Sequence, residues 1–123
     1  MAHIEGNVEI KAPLEDVFSF VSDWHNMEGF TDGVYDYACV SEQACGEGAR
    51  FCCKTKVPLA GEIDYTLEMR DFEANRGWSM QAVEGPDWIE RWWFYAEPGW
   101  PRATRIAYDL RYKLPIPVVG KLV

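Results

Sequence analysis

The sequence has 123 residues, of which 48% are hydrophobic and 15% aromatic, enough for one domain around a single core. The net charge is −8, and the first 47 residues carry ten acidic side chains against one basic side chain, Lys11. So acidic a chain repels phosphate backbones, which excludes nucleic acid as a partner.

The sequence also indicates the cellular location of the protein. No stretch approaches the roughly 20 apolar residues of a membrane span, so no integral membrane segment is expected. The N-terminus carries Glu5 and Glu9 rather than a basic region followed by an apolar run, which is unlike a secretory signal. We therefore expect a cytoplasmic protein. Its four cysteines fit no zinc template and are predicted to be free thiols in a reducing compartment.

The first predicted elements are a strand and two short helices. Apolar residues alternate with polar ones from Ile4 to Ile10, which is typical of a half-buried strand. Pro13 suits the start of a helix, and a stripe at i, i+3, i+4 and i+7 from Leu14 to Val21 indicates one amphipathic helix. A second short helix or turn is predicted over 24–30, stopped at Gly29.

Strands follow from residue 35 onward. Tyr35 and Tyr37 are predicted to share one face of the first of them, and alternation continues over 49–57 and 63–69. A tight turn at Ala74-Asn75 would pair Met69 with Met80 and Leu67 with Ala82. Short loops between consecutive strands indicate an antiparallel meander.

The last two strands form a hairpin from Trp88 to Leu114, around the turn residues 98–101. In its second strand, Ile106, Tyr108 and Leu110 share one face. In the first strand, one register turns Glu90, Trp92 and Phe94 inward, whereas a slip of one residue would turn Trp93 and Tyr95 inward instead.

These segments, in this order, resemble the START-like (SRPBCC, helix-grip) superfamily, in particular its polyketide cyclase/dehydrase and coenzyme-Q-binding branches. The run from Ala12 to Asp23 is similar to the family's AP-x-x-x-V-[FW] helix, and Gly46 to Arg50 is similar to its G-x-G-[TA]-R turn. Trp92-Trp93-Phe94 and the run from Ala103 to Tyr108 are similar to its closing hairpin. The resemblance covers nearly the whole chain and implies one START-like domain over residues 1–123.

The resemblance implies an α+β helix-grip fold. The expected architecture is a curved seven-stranded antiparallel sheet in the order 1-7-6-5-4-3-2, with two short helices between strands 1 and 2. In the family, a long C-terminal helix packs against the sheet and encloses a cavity for an apolar ligand. Only six residues follow Pro117 here, so we expect that helix to be truncated. A homodimer that covers the open groove would then bury the exposed apolar face.

The alternation places a set of apolar residues on the concave face, where they either line a ligand cavity or simply fill a core. The candidates for ligand binding are Phe51, Cys53, Tyr65, Leu67, Met69, Trp78, Met80, Trp92, Phe94, Tyr108 and Leu110.

Two residues are candidates for catalysis. Glu90 would face the aromatic pocket, where a carboxylate has a raised pKa and could act as a general acid or anchor a polar ligand group. The simpler interpretation is a solvated residue near the mouth of the strand, or one paired with an arginine. His25 lies near where the family's cavity opens, although a lone histidine can also be an ordinary surface residue.

Three function classes fit these observations. The first is binding or transport of an apolar small molecule such as a lipid, quinone or polyketide. The second is a cyclase/aromatase- or dehydratase-like enzyme, which needs at least two polar side chains converging in the pocket. The third is a protein-interaction module that uses the open groove. Two histidines are too few for most histidine-based metal sites, and no phosphate-binding glycine loop is present, so neither a metal nor a cofactor is predicted.

Overall fold

The architecture is taken from a computed structural model, which describes residues 2–31, 33–57 and 61–113. The predicted C-terminal helical segment lies outside these residues. No helix in the described ranges is both long and apolar enough to span a membrane. In chain order the elements are β1 (Ala2–Ile10), α1 (Leu14–Ser22), a 3₁₀ turn (Trp24–Asn26), α2 (Met27–Phe30), β2 (Val34–Cys39), β3 (Arg50–Val57), β4 (Gly61–Glu73), β5 (Gly77–Glu84), β6 (Asp87–Ala96) and β7 (Thr104–Lys113).

The strands form one antiparallel sheet in the order β1-β7-β6-β5-β4-β3-β2, which confirms the predicted topology. The register predicted for the β4–β5 hairpin is also confirmed, because Met69 pairs with Met80 and Leu67 with Ala82. Alternation fixes such a register, since a slip of one residue would turn every apolar side chain to the other face.

The two short helices lie between β1 and β2, as predicted. Pro13 precedes α1 as its N-cap, and the apolar stripe buries Val17, Phe18 and Val21 against the sheet. The Asp23 side chain then accepts a hydrogen bond from the His25 backbone N–H and starts the 3₁₀ turn. The predicted range 24–30 is confirmed, since α2 ends at Phe30, although Gly29 lies inside that helix and does not end it.

The prediction that Tyr35 and Tyr37 share a face is wrong. Asp36 has φ 51°, and the pairing of β2 with β3 shifts register between Tyr35 and Ala38. This bulge turns Tyr35 to the convex face, where its hydroxyl donates to the Glu62 carboxylate. Tyr37 instead lies on the concave face and stacks on Phe51, with ring centroids 5.6 Å apart. Simple alternation therefore fails where an extra residue enters the strand.

The structure selects one of the two registers considered for β6. Trp92 pairs with Tyr108 and Phe94 with Ile106. Phe94 is 3% exposed and Ile106 6%, whereas Tyr95 on the opposite face is 52% exposed. Trp88, Glu90, Trp92 and Phe94 therefore face the concave side.

The core lies where α1 crosses the concave face. The Phe18 ring meets the rings of Phe94 and Trp78 edge-on, at centroid distances of 5.0 and 5.5 Å. Met69 and Met80 are at most 2% exposed in the same cluster. We call this region, Met69, Trp78, Met80 and Phe94 beneath Phe18, the helix-covered half of the concave face. Its side chains are at most 3% exposed and fill the space beneath the helix.

Candidate ligand-binding groove

The rest of the concave face forms a groove made of two adjoining cavities. The larger has a volume of about 760 Å³ and the smaller about 340 Å³. Ile4, Thr31, Glu90 and Leu110 line both cavities, so these residues mark where they meet. We call the groove floor, Trp88, Glu90, Trp92, Tyr108 and Leu110, the open half of the concave face.

Strand pairing places the residues of the open half next to one another. Glu90 lies opposite Leu110 across the β6–β7 pair, and Leu110 lies opposite Ile4 across the β7–β1 pair. Tyr108 lies opposite Gly6 of β1. A Cβ at Gly6 would come within 2.8 Å of the Tyr108 hydroxyl oxygen, so the absence of a side chain lets the ring lie over the strand.

Aromatic pairs build the groove floor. The Trp88 ring lies 4.7 Å from that of Tyr65 and 5.3 Å from that of Tyr112, centroid to centroid. The Trp92 ring lies 5.8 Å from that of Tyr108. Rings at such distances form broad, stiff apolar walls.

Glu90 is the polar centre of this floor. Burial raises the pKa of its carboxyl group above the ordinary value of 4.5, and interactions with the indole N–H groups of Trp88 and Trp92 oppose that rise. No ion pair to Glu90 is present among the described residues. A part-buried carboxylate that has no cationic partner among the described residues favours the protonated form more than a solvated glutamate does.

Further polar groups line the smaller cavity. The Thr55 and Tyr65 hydroxyls are hydrogen-bonded at 2.7 Å. Burial raises the pKa of the Cys53 thiol to about 12, and the Glu90 charge adds to the rise. Burial, again with the Glu90 charge, holds the pKa of Tyr37 well above its usual value. Cys53 is therefore a protonated thiol at neutral pH and a poor nucleophile.

The other charged residues along the groove point elsewhere or lie at its rim. Asp109 contributes to the larger cavity, but its carboxylate is 2.8 Å from His3 Nε2. Lys56 contributes to the smaller cavity, but its ammonium lies 6.0 Å from the centroid of Tyr35, which faces the convex side. Asp16 is exposed at the rim of the larger cavity.

The structure separates the eleven predicted ligand-binding residues into two groups. Phe51, Met69 and Met80 are at most 2% exposed and line neither cavity. Trp78 and Phe94 also belong to the packed core and border a more polar surface cavity of about 540 Å³ near the β4–β5 turn. The six that line the groove are Cys53, Tyr65, Leu67, Trp92, Tyr108 and Leu110.

Several groove residues were absent from the predicted set. The main omission is β1, whose Ile4, Val8 and Ile10 line the larger cavity and remain 37–47% exposed. Phe20 of α1 closes the same wall and is 56% exposed. The alternation of β1 and the predicted strand order place this strand beside β7, but they do not show that its apolar side chains border a cavity. Phe20 lies outside the apolar stripe of α1, so no pattern indicated it.

The remaining candidates lie away from the groove. His25 stacks on Trp24 at 3.8 Å and its Nδ1 is 2.7 Å from Asp23 Oδ1; it lines neither cavity. One set of described side chains, His3, Glu5 and Asp109, has ligand atoms close enough to hold a metal ion. The His3–Asp109 hydrogen bond already accounts for that geometry, so the cluster is no argument for a metal.

Comparison with known proteins identifies the fold. No protein-family model matches the sequence, and no curated protein matches it. Among solved structures, a protein of Thermus thermophilus has 21% identity and a TM-score of 0.79, over 98% of this chain and 80% of that one. A START superfamily protein of Mycobacterium smegmatis has 18% identity and a TM-score of 0.70, over 98% and 85%. Truncated norcoclaurine synthase of Thalictrum flavum has 15% identity and a TM-score of 0.65, over 99% of this chain and 82% of that one.

At these identities the likeness concerns the fold alone. With the strand order and the two helices, it shows that the chain has the START-like helix-grip fold, which confirms the predicted architecture. What the groove binds has to be argued from its own residues.

Proposed function

We propose that the protein binds an apolar small molecule, of lipid, quinone or polyketide type, in the groove of the open half. The observation that supports this best is the larger cavity, about 760 Å³ in volume and lined mainly by aliphatic and aromatic side chains. Ligand pockets are commonly about 300–1,000 Å³, apolar, and supplied with a few polar groups that fix orientation. Glu90 and the Thr55–Tyr65 pair would supply those groups.

The proposal is tested by ligand recovery and by titration with the neutral fluorescent probe N-phenyl-1-naphthylamine. Native mass spectrometry of the purified protein should reveal a co-purifying apolar molecule, and the probe should bind in the micromolar range. Val8→Trp would place a large ring in the cavity mouth and should weaken probe binding about tenfold. Glu5→Trp, on the opposite face of the same strand, is the control and should bind normally. Absence of probe binding, or equal binding by both variants, would refute the proposal.

A second candidate function is a cyclase/aromatase- or dehydratase-like enzyme. It is favoured by one observation, the convergence of Glu90 with the Thr55–Tyr65 hydroxyl pair on the smaller cavity. Such an enzyme needs a proton donor and acceptor on either side of a substrate, and a carboxyl group with a raised pKa suits general acid catalysis. Turnover of a poly-β-keto thioester that is lost in Glu90→Gln would favour this function, whereas binding without turnover would favour the carrier.

We also propose that two copies cover their grooves against each other in a cytoplasmic homodimer. Ile4, Val8, Ile10 and Phe20 form an apolar rim whose members are 37–56% exposed, and such patches mark interaction sites. Light scattering at micromolar concentration should give the dimer mass. Ile4→Glu together with Phe20→Glu should give the monomer mass if this rim is the interface, and a monomeric wild type would refute it. A protein-interaction module would instead hold a different chain there.

A further inference from the structure

Apolar binding alone leaves Glu90 unexplained. Its carboxyl group lies where the two cavities meet, and no described basic side chain pairs with it. A carboxylate without a cationic partner in an apolar groove costs free energy, because the two indole N–H groups only partly replace the water that burial removes. A bound ligand that supplies the missing positive charge would remove that cost.

The charges around the groove favour a cation. Glu90 and Asp16 contribute carboxylates to the larger cavity, Asp109 pairs with His3 instead, and no described basic residue lines this cavity. Lys56, which contributes to the smaller cavity, places its ammonium over Tyr35 toward the convex face. The net charge of −8 adds a long-range attraction for positive ligands.

The aromatic neighbours favour the same chemistry. Trp88 and Trp92 flank Glu90 on β6, and their indole N–H groups interact with its carboxylate. Tyr65 and Tyr108 pack against these two indoles, so the carboxyl group is surrounded by rings. The indole N–H edges point at the carboxylate, so the rings form an apolar surround and leave the positive charge to be supplied by the ligand.

We propose that the groove recognises an amphipathic amine, whose ammonium group pairs with Glu90 between Trp88 and Trp92 while its apolar body fills the larger cavity. This inference rests on the proposed function and names the ligand class for the same site. It places the polar end of the ligand at the junction of the cavities and the alkyl or ring portion against Ile4, Val8 and Ile106.

The experiment compares decylamine, decan-1-ol and decanoate as competitors of N-phenyl-1-naphthylamine at neutral pH. These share one alkyl chain and differ in charge. In the wild type, decylamine should bind about tenfold or more tighter than decan-1-ol, because a charged hydrogen bond to the ligand gives the carboxylate its missing cationic partner. Decanoate should bind most weakly.

Glu90→Gln keeps the size of the side chain and removes its charge, so the amine should then bind no tighter than the alcohol. Glu5→Gln makes the same chemical change on the exposed opposite face of β1, outside both cavities, and should leave the preference intact. Circular dichroism confirms that both variants are folded.

The outcomes separate this inference from the proposed function. Equal binding of amine and alcohol by the wild type, or an amine preference that survives Glu90→Gln, would overturn the amine proposal while leaving apolar binding intact. Failure of the probe and all three competitors to bind would overturn both.

Discussion

The two halves of the concave face are built from the same strands but differ in what covers them. On β6, Phe94 is 3% exposed beneath Phe18 and does not line the groove, whereas Trp92, two residues earlier, lines its larger cavity. Helix α1 has nine residues and is therefore about 14 Å long. Because strands lie about 4.8 Å apart, such a helix covers roughly three strand spacings of a seven-stranded sheet. The same apolar alternation thus yields packed core under the helix and groove wall beyond it.

The largest expected effect is in the helix-covered half. Phe94→Ala should lower the free energy of unfolding by about 3–5 kcal/mol, because it removes a ring packed against Phe18 and Trp78 and leaves a cavity. Urea denaturation followed by circular dichroism measures this change. A loss below about 1 kcal/mol would mean that this half is not packed as described.

In the open half, a substitution should lower ligand affinity more than it lowers stability. Trp92→Ala should cost less than about 3 kcal/mol of stability, since the ring already borders a cavity, but should weaken probe binding about tenfold. Trp93→Ala is the matched control, because Trp93 is the next residue of β6 and lies on the opposite face, 38% exposed. Equal effects of the two variants on probe affinity would contradict the distinction between the faces.

Glu90 should make stability depend on pH in the open half. The pKa of its carboxyl group is raised in the folded state, so the folded protein binds more protons than the unfolded one between pH 4.5 and the raised pKa. Stability therefore falls as pH rises through that interval, by about 1.4 kcal/mol for each unit of difference in pKa.

Glu90→Gln tests this dependence. The variant should be more stable than the wild type at neutral pH, and the two should converge below pH 4.5. Unfolding free energies from urea titrations between acidic and neutral pH measure the difference. A variant that is less stable than the wild type at neutral pH would show that the charge is stabilised by the fold.

The smallest expected effect is at His25, outside both halves. His25→Ala should change stability by less than about 1 kcal/mol, because its interaction with Asp23 is exposed, and should leave probe binding unchanged. Urea denaturation and probe titration measure the two quantities. A loss of affinity would place His25 in the site, against the geometry.

The topology and most strand registers could be predicted from sequence, since alternation and short loops leave few alternatives. The β4–β5 pairing followed directly from matching Met69 to Met80 and Leu67 to Ala82. The bulge at Asp36 could not be predicted, because the left-handed backbone conformation of this residue leaves no periodic pattern in the sequence.

The candidate site was harder to predict than the fold. Alternation placed Met80 and Trp92 on one face but carried no information on where α1 crosses it, so core and groove residues were grouped together. The contribution of Ile4 and Val8 depends on β1 lying next to β7, a pairing between opposite ends of the chain. The family resemblance predicts that strand order, but alternation does not show which residues of β1 border the cavity.

The most direct test of the central claim is to follow the six tryptophan indole N–H signals by ¹H–¹⁵N NMR during titration with N-phenyl-1-naphthylamine. Binding in the open half should shift the indole signals of Trp88 and Trp92 with a common dissociation constant. The indole signals of Trp93 and Trp100 should not shift. Trp93 lies on the convex face, and Trp100 is 85% exposed in the β6–β7 loop. Shifts confined to Trp93 and Trp100, or no shift at Trp88 and Trp92 at saturation, would contradict ligand binding in the groove.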